Sequence, residues 1–141
     1  MEINGVKITE RGWAGHFICA DKCQFKRNTL LEYKDIKWVV STVGAMPQSE
    51  VLGKIPELCS ENGYDTIGLN RYYETMAFEA QPVKDTDGNI IYYDADVSKM
   101  IDFDSKWAIG HIDFTTDKLA NEMHESVVNE LIEAIKEETD E

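Results

Sequence analysis

A histidine and two cysteines lie close together near the start of this sequence, in the pattern His16-x-x-Cys19-x-x-x-Cys23. Imidazole and thiolate are ligands that zinc accepts, but a structural zinc site needs four ligands and takes them from closely spaced pairs. On a strand, His16 and Cys19 would point to opposite faces, because side chains alternate. The pattern therefore favours buried thiols that pack as small hydrophobic groups over a metal site, and we predict no cofactor.

A second set of residues could carry acid–base or anion chemistry. Histidine exchanges protons near neutral pH and arginine clamps anions, so His16, Arg27 and His111 are the candidate catalytic residues of a small enzyme. Its substrate would be a nucleotide or a modified compound. No glycine-rich phosphate loop, nucleophile elbow or zinc-protease motif accompanies these residues. The sequence therefore favours a binding role over catalysis.

The charge of the chain is distributed unevenly. The net charge is -13, yet residues 1–63 contain eight basic and eight acidic residues, while residues 64–141 contain six and nineteen. Direct binding to nucleic acid needs clustered Lys and Arg, so this composition disfavours it. A protein that presents a basic groove would instead be attracted. The plain alternative is that the acidic surface only keeps the protein soluble.

The candidate partner-binding residues are acidic or aromatic. In the pairs Tyr72-Tyr73 and Tyr92-Tyr93, neighbouring rings on a strand point to opposite faces, so one ring of each pair is expected to be exposed. Carboxylates recur outside the apolar stripe of the final helix. The predicted partner-binding residues are Glu122, Glu125, Glu130, Glu133, Tyr73 and Tyr93.

The first two-thirds of the chain are typical of strands and tight turns. Asn4-Gly5 between apolar residues predicts a hairpin, because both residues accept positive φ. Residues 29–33 and 36–43 predict a second hairpin around Lys34-Asp35. Trp13 to Ala20 is an apolar run that predicts a buried strand. Residues 45–65 predict an inserted short helix or loop, since Gly53 and Pro56 interrupt an apolar spacing of three and four.

The last third predicts one more hairpin, a strand and a long helix. Asp85 to Asn89 is a turn between two apolar segments, and residues 107–112 predict a buried strand. From Thr115 to about Glu138, apolar residues recur at helical spacing. That stripe comprises Ala120, Met123, Val127, Leu131, Ala134 and Ile135. We therefore predict an α+β fold, with an antiparallel, hairpin-rich sheet packed by a long C-terminal amphipathic helix.

Length and composition indicate one domain, residues 1–141, in a reducing compartment. A 43% hydrophobic fraction suits a globular core, and no apolar run reaches the ~20 residues of a membrane helix. An odd number of cysteines (three) argues against a disulfide framework. Residues 1–5 lack the basic and apolar features of a secretory signal. We therefore expect a cytoplasmic protein with no membrane contact.

Several segments resemble a group of small uncharacterised proteins encoded by bacteriophages and prophages. The resemblance begins in residues 11–20, which read Arg-Gly-Trp-Ala-Gly-His-Phe-Ile-Cys-Ala. It continues, in order, through residues 25–30, 39–44, 71–78 and 107–111, about half of the chain. It carries over no catalytic residue, but it implies a phage setting, in the cytoplasm of a bacterial host.

The resemblance and the charge together predict a phage-encoded anti-defence inhibitor, similar in action to anti-CRISPR proteins. Its partner would be a host defence protein with a basic, nucleic-acid-binding groove. Two alternatives stay open: the small enzyme described above, and a protein that sequesters nucleotides. The latter would need a basic, aromatic-lined pocket built from Arg11, Arg27, Arg71 and the tyrosines.

Overall fold

The described part of the chain forms an antiparallel sheet with a long helix packed on it. A computed structural model describes residues 1–13, 15–16, 20–49, 54–57, 60, 62–67, 70–101 and 106–140. A 3-10 helix spans Ala20–Lys22. The other elements are β1 (Glu2–Ile3), β2 (Val6–Arg11), β3 (Phe25–Tyr33), β4 (Ile36–Gly44), β5 (Met46–Pro47), β6 (Tyr64–Asp65), β7 (Tyr73–Lys84), β8 (Ile90–Ile101), β9 (Ala108–Ile109) and α1 (Thr116–Asp140).

Seven strands of the described residues build the main sheet in the order β1-β2-β3-β4-β7-β8, with β9 paired to the start of β7. Every neighbouring pair is antiparallel. The strands β5 and β6 form a separate two-stranded sheet in the segment between β4 and β7. This architecture confirms the predicted α+β class, because sequential hairpins bring most sheet neighbours together and the C-terminal helix covers one face.

The three predicted hairpins are all present. Asn4 and Gly5 adopt φ of 54° and 84° between β1 and β2, so both residues of the turn use the positive φ that their types permit. Lys34 and Asp35 connect β3 to β4, and residues 85–89 connect β7 to β8. In the last turn, the Asp85 side chain accepts hydrogen bonds from the backbone N–H groups of Asp87 and Asn89. Local turn chemistry therefore placed these connections correctly.

One local prediction failed on described residues. Of residues 13–20, Trp13, Gly15 and His16 belong to no strand and Ala20 begins the 3-10 helix, so the predicted strand is wrong there. For residues 45–65, where the sequence predicted a short helix or a loop, Lys54 to Glu57 form turns, in agreement with the loop alternative, and residues 50–53, 58, 59 and 61 lie outside the described residues. Neither residues 13–20 nor residues 54–57 join the ladder of the main sheet where they are described, and Trp13 and Ile55 are exposed.

The helix α1 packs through the apolar stripe that the sequence predicted, with one exception. Ala120, Val127, Leu131 and Ile135 are buried, whereas Ala134 is exposed. The same side of α1 also buries His124, Val128 and Ile132. Burial of each large apolar side chain stabilises by ~1.5–3 kcal/mol, which exceeds what helix propensity contributes per residue. The stripe therefore docks the helix. Among the described residues, no helix is long and apolar enough to cross a membrane.

Alternation along the strands divides the sheet into two faces. The face that α1 covers, called here the helix face, includes Thr29, Leu31, Val40, Thr42, Thr75 and Ala77. The other, called the opposite face, includes Asn28, Leu30, Val39, Ser41, Glu74 and Phe78. In β4, the residues from Val39 to Gly44 are buried on both faces. Something must therefore cover the opposite face as well.

Two segments cover parts of the opposite face. The described residues between β2 and β3 bring His16 onto Ser41 and pack Ala20 and Cys23 against Val43. The distal part of the β7–β8 hairpin supplies the second cover. Its Tyr93 carbonyl accepts a hydrogen bond from Arg11 Nη1, and its Tyr93 ring centroid lies 4.7 Å from Lys37 Nζ. The hairpin therefore bends across the ends of β2 and β4.

Candidate functional site

The opposite face holds a buried polar cluster centred on His16. Its Nδ1 lies 2.9 Å from Ser41 Oγ, and its Nε2 lies 2.8 Å from Glu74 Oε1. Arg71 Nη1 lies 3.3 Å from the other carboxylate oxygen of Glu74. Because a carboxylate only accepts, Nε2–H donates to Glu74, and Nδ1 shares a second hydrogen bond with the Ser41 hydroxyl. The cluster thus links strands β4 and β7 to the segment that carries His16.

A glycine lets this segment approach the sheet. A Cβ built on Gly15 would lie 2.4 Å from Val43 Cγ1 and 3.5 Å from Ser41 Oγ, and the residue has φ of 134°. Both the close approach and the backbone conformation therefore require glycine. Gly15 allows His16 to sit directly on β4.

Ser41, His16 and Glu74 have the residue types of a hydrolytic triad, but the environment argues for a structural role. The residue Ser41 is 1% exposed and stands in the middle of a central strand. A nucleophile must reach its substrate, and an acyl-transfer site also needs donors for the oxyanion. The described residues provide neither around Ser41. We therefore assign this cluster to attachment of the His16 segment.

A row of polar side chains continues from Ser41 across the opposite face. Asn28 pairs with Ser41 in register, and Arg11 pairs with Asn28. Arg11 Nε donates to Asn28 Oδ1 at 2.8 Å, and the guanidinium carbon lies 3.5 Å from the ring centroid of Trp13. Burial lowers the pKa of Arg11, and the carboxylate of Asp94 partly offsets this effect. Arg11 is thus occupied by contacts with the bent hairpin and the sheet.

The helix face holds a second buried histidine, His124, which the structure places at 0% exposure. Its Nε2 lies 2.7 Å from Thr29 Oγ1, and its Nδ1 lies 2.7 Å from Thr42 Oγ1. Thr42 Oγ1 is 2.6 Å from Thr75 Oγ1. At the other end, Thr29 Oγ1 donates to Glu10 Oε1 at 2.7 Å. Four strands are therefore connected to α1 through one imidazole.

The hydrogen bonds of this chain fix the tautomer of His124. Because the single hydroxyl proton of Thr29 goes to Glu10, the contact with His124 requires Nε2–H as the donor. Neutral His124 then accepts from Thr42 at Nδ1, and Thr75 donates to Thr42. Burial lowers the pKa of His124 to about 3, with a further contribution from the positive charge of Arg27. The imidazole is therefore neutral at ordinary pH.

The chain of hydrogen bonds ends at a partly exposed charge cluster, Glu10–Arg27–Glu125. Arg27 Nε and Nη2 donate to the two oxygens of Glu10 at 3.1 Å and 2.7 Å. Arg27 Nη1 donates to Asn121 Oδ1 at 3.0 Å and to Glu125 Oε1 at 3.2 Å. Burial opposes ionisation of Glu10, but the hydrogen bonds from Arg27 and Thr29 outweigh it and lower the pKa of this carboxyl.

This charge cluster forms one end of a groove between α1 and the β1–β2 hairpin. The cavity has a volume of about 500 Å³. Its remaining lining residues are Met1, Ile3, Ile8, Val128 and Asn129. A mostly apolar concavity of this size with a few charged groups at one end is the usual form of a small-molecule site.

The three candidate catalytic residues of the alternative enzyme hypothesis do not meet. His16 contacts Ser41 and Glu74 on the opposite face, whereas Arg27 bonds to α1 on the helix face. Ser41, which His16 contacts, and Thr42, which pairs with Arg27, are adjacent in β4 and point to opposite sides of the sheet. The sheet therefore separates His16 from Arg27. His111 lies elsewhere, with a 58% exposed side chain 4.0 Å from Asp113 Oδ2. These residues therefore do not share one active site.

The candidate metal ligands, at which the sequence favoured no metal site, also have other surroundings. His16 is engaged as described, Cys19 lies outside the described residues, and Cys23 is buried against Ala20 and Val43. Burial raises the pKa of the Cys23 thiol. Within the described ranges, no group of three or more His, Cys, Asp or Glu side chains could hold a metal ion.

The acidic side chains of α1 divide into two groups. Glu125 pairs with Arg27, and Glu130 pairs with Lys106 at 2.6 Å. Glu122 and Glu133 are exposed and form no ion pair among the described residues. We call these four carboxylates the acidic face of α1. Half of the predicted partner-binding carboxylates therefore carry an intramolecular counterion.

One tyrosine of each pair was predicted to be exposed, and this holds for the second pair. The exposed ring is that of Tyr92, however, and neither Tyr73 nor Tyr93, the predicted partner-binding residues, is exposed. Tyr73 is 0% exposed, and its hydroxyl donates to Asp117 Oδ1 at 2.7 Å. Its ring points to the core because β7 presents it on the helix face, so it cannot contact a partner. Tyr72 is half-buried. In the second pair, Tyr92 is 42% exposed and Tyr93 is half-buried.

Sequence reasoning missed the hydrogen-bond chain of His124. One signal was present, because His124 occupies the apolar side of the helix, four residues after Ala120 and three before Val127. A histidine in such a position must find partners when it is buried. Nothing in the sequence identified Glu10, Thr29 and Thr42 as those partners.

Comparisons with known proteins identify no relative. No protein-family model, no curated protein sequence and no solved structure matches this chain.

Proposed function

We propose that this protein acts by binding a partner with a basic surface through the acidic face of α1. The partner class is a nucleic-acid-handling defence protein of a bacterial host, and CRISPR effectors are its first candidates. The phage setting comes from the sequence resemblance, and the surface comes from the charge pattern. The proposal is that of a binding inhibitor, with no catalytic step.

The exposure of Glu122 and Glu133 is the observation that carries the proposal. Both side chains lie on the solvent side of a helix whose other side is fixed in the core. Their positions are eleven residues apart, roughly 16 Å along the helix axis. Because the helix is docked, these charges are presented without a folding cost at binding. A basic groove would meet them as fixed anions.

The charge of the whole molecule supports the same partner. A net charge of -13 raises the local concentration of basic proteins and repels nucleic acid. The alternative of nucleotide sequestration receives less support. Arg27 is bound by Glu10 and Glu125, Arg71 by Glu74, and Arg11 by Asn28 and the bent hairpin. These three guanidinium groups therefore do not converge on one pocket.

Inhibition of purified CRISPR effectors tests the proposal. We expect the protein to block target-DNA cleavage by at least one effector, with an affinity that falls as salt rises from about 0.05 to 0.3 M, since screening weakens exposed charges. The double variant Glu122→Gln/Glu133→Gln should weaken binding by about tenfold or more. A second double variant, Glu125→Gln/Glu130→Gln, should weaken it less, because those carboxylates already have counterions.

A matched control separates the acidic face from total charge. Glu57→Gln/Asp87→Asn removes two exposed carboxylates outside α1 and should change affinity by less than about twofold. Equal loss in the control and the Glu122/Glu133 variant would refute the acidic face as the binding surface. Absence of inhibition across effectors of the main CRISPR types, together with no gain in plating of a targeted phage, would refute the partner class.

A further inference from the structure

The groove between α1 and the β1–β2 hairpin has an apolar body and a polar end. Ile3, Ile8 and Val128 contribute the apolar surface, and Glu10, Arg27 and Glu125 form the end. Ile3 is 37% exposed although it is a large apolar residue on the lining. An apolar ligand group would remove this surface from water, which is favourable in proportion to the area covered.

The polar end has spare hydrogen-bond acceptors and almost no spare donors. Each carboxylate offers about four acceptor sites, and a guanidinium has five N–H donors. Arg27 uses four of its donors, on Glu10, Asn121 and Glu125. Glu10 accepts three hydrogen bonds, from Arg27 and Thr29, and Glu125 accepts one. Across the described residues, Glu125 thus keeps most of its accepting capacity, so a ligand that donates hydrogen bonds can bind at this end.

The charge at the polar end also favours a ligand that donates hydrogen bonds, provided that this ligand is cationic. Glu10, Arg27 and Glu125 give this end a net charge of -1, while the Met1 ammonium, also on the groove lining, lies at the apolar body, 3.5 Å from the Ile8 carbonyl oxygen. The Glu125 side chain is 58% exposed, so it is accessible to a ligand in the groove. A cationic head is attracted, and an anionic head is repelled.

Hydrogen bonds with β3 and α1 hold the side chains of the charge cluster in place. Glu10 receives the hydroxyl proton of Thr29, which in turn accepts from the buried His124 of α1. Arg27 is anchored to the same helix through Asn121. The polar end is therefore pre-organised, and a ligand does not have to order it.

We propose that this groove binds a small molecule with an apolar body and a cationic head, an alkylammonium or a compound of similar chemistry. The apolar body lies against Ile3, Ile8 and Val128, and the head donates to Glu125 and to the remaining acceptor site of Glu10. This site does not depend on the proposed function, because it is occupied by a small molecule and needs no protein partner.

Calorimetric titration of the purified protein near pH 7 with three eight-carbon probes tests the proposal. The probes are n-octylamine, which is protonated, neutral 1-octanol, and octanoate. We expect octylammonium to bind about tenfold tighter than octanol, and octanoate to bind most weakly. Backbone amide NMR shifts should locate the bound probe at Ile8, Glu10, Val128 and Asn129. Equal affinities for octylammonium and octanoate, or shifts that fall elsewhere, would overturn it.

Three variants separate local recognition from the overall negative charge. Glu125→Gln should remove most of the preference for octylammonium over octanol and leave octanol affinity unchanged. Asp87→Asn, which removes one exposed charge from the β7–β8 turn, should preserve that preference. Ile3→Ser, at an exposed edge where folding is tolerant, should weaken both probes together. A preference that survives Glu125→Gln would contradict the assigned head site. Octanol affinity unaffected by Ile3→Ser would contradict the assigned body site.

Discussion

The two faces of the sheet each bury one histidine in a polar network, and the two networks hold different kinds of structure. On the helix face, His124 belongs to a regular helix and reaches Thr29 and Thr42. On the opposite face, His16 belongs to an irregular segment and reaches Ser41 and Glu74. A helix docked by an apolar stripe would stay near the sheet without its histidine. Among its described residues, His16 attaches the irregular segment to the sheet through polar contacts.

This difference predicts which histidine supports the whole fold and which supports a local attachment. His124 is surrounded by core residues of α1 and contacts strands β3 and β4, so its loss affects the packing of the main elements. His16 fastens one segment to strands β4 and β7. Loss of His16 should therefore free that segment before it affects the rest.

The largest expected effect is that of His124→Ala. Removal of the buried imidazole leaves a cavity and deprives Thr29 and Thr42 of a partner, so we expect the free energy of unfolding to fall by ~3–5 kcal/mol. Urea denaturation followed by circular dichroism measures it. Ser126→Ala, on the exposed side of the same helix, should change stability by less than about 0.5 kcal/mol. A loss below about 1 kcal/mol for His124→Ala would show that the network contributes little.

A smaller and more local effect is expected for His16→Ala. We expect a loss of ~1–3 kcal/mol, because Ser41 and the buried carboxylate of Glu74 each lose a hydrogen bond. Hydrogen exchange distinguishes the two histidines: His16→Ala should accelerate exchange mainly at residues 20–24, and His124→Ala should accelerate it throughout α1 and the strands beneath it. Uniform acceleration in both variants would contradict the local role of His16.

The stability of the protein should depend on pH through His124 of the helix face. Its pKa is about 3 in the folded protein and about 6.5 in the unfolded chain, so only the unfolded chain binds this proton between those values. Stability therefore falls as the pH is lowered from about 6.5 towards 3, by about 1.4 kcal/mol per pH unit. The lowered pKa of Glu10 acts in the same direction, since its stabilising contribution is lost on protonation.

The variant His124→Phe isolates this contribution. Phenylalanine keeps a ring at the site and cannot titrate, so the slope of unfolding free energy against pH, measured between about 4.5 and 6.5, should decrease by about 1.4 kcal/mol per unit. His16→Ala should retain the wild-type contribution of His124. An unchanged slope in His124→Phe would mean that His124 already binds its proton in the folded state.

The sequence predicted best where a structure is decided by neighbouring residues. Asn4-Gly5 and Asp85 to Asn89 turn because of their own backbone preferences and side-chain hydrogen bonds. The helix was predictable because apolar residues recur at helical spacing along its 25 residues, and a pattern of that length indicates a helix clearly. These predictions required no knowledge of distant contacts.

Prediction failed where a residue's role depends on what lies across the sheet. Tyr73 and its neighbour are equivalent in the sequence, and only the position of α1 decides that Tyr73 is the buried one. Arg27 looked like an anion-binding residue, but Glu10 and Glu125 neutralise it from two other elements. Residues 13–20 looked like a strand because they form an apolar run, but the described residues His16 and Ala20 are buried by covering the sheet, and periodicity does not distinguish covering from pairing.

The sequence by itself determined the α+β architecture, the hairpins, the docked helix and the concentration of negative charge after residue 63. These depend on local backbone preferences, on repeated spacing and on composition, which chain order fixes directly. Only the tertiary structure decided that His16 and Arg27 lie on opposite faces, that His124 connects α1 to Glu10, and that Glu125 closes a groove while Glu122 and Glu133 face solvent. Those outcomes depend on residues 17 to 98 positions apart in sequence being brought within hydrogen-bond distance, and no local pattern encodes such a distance.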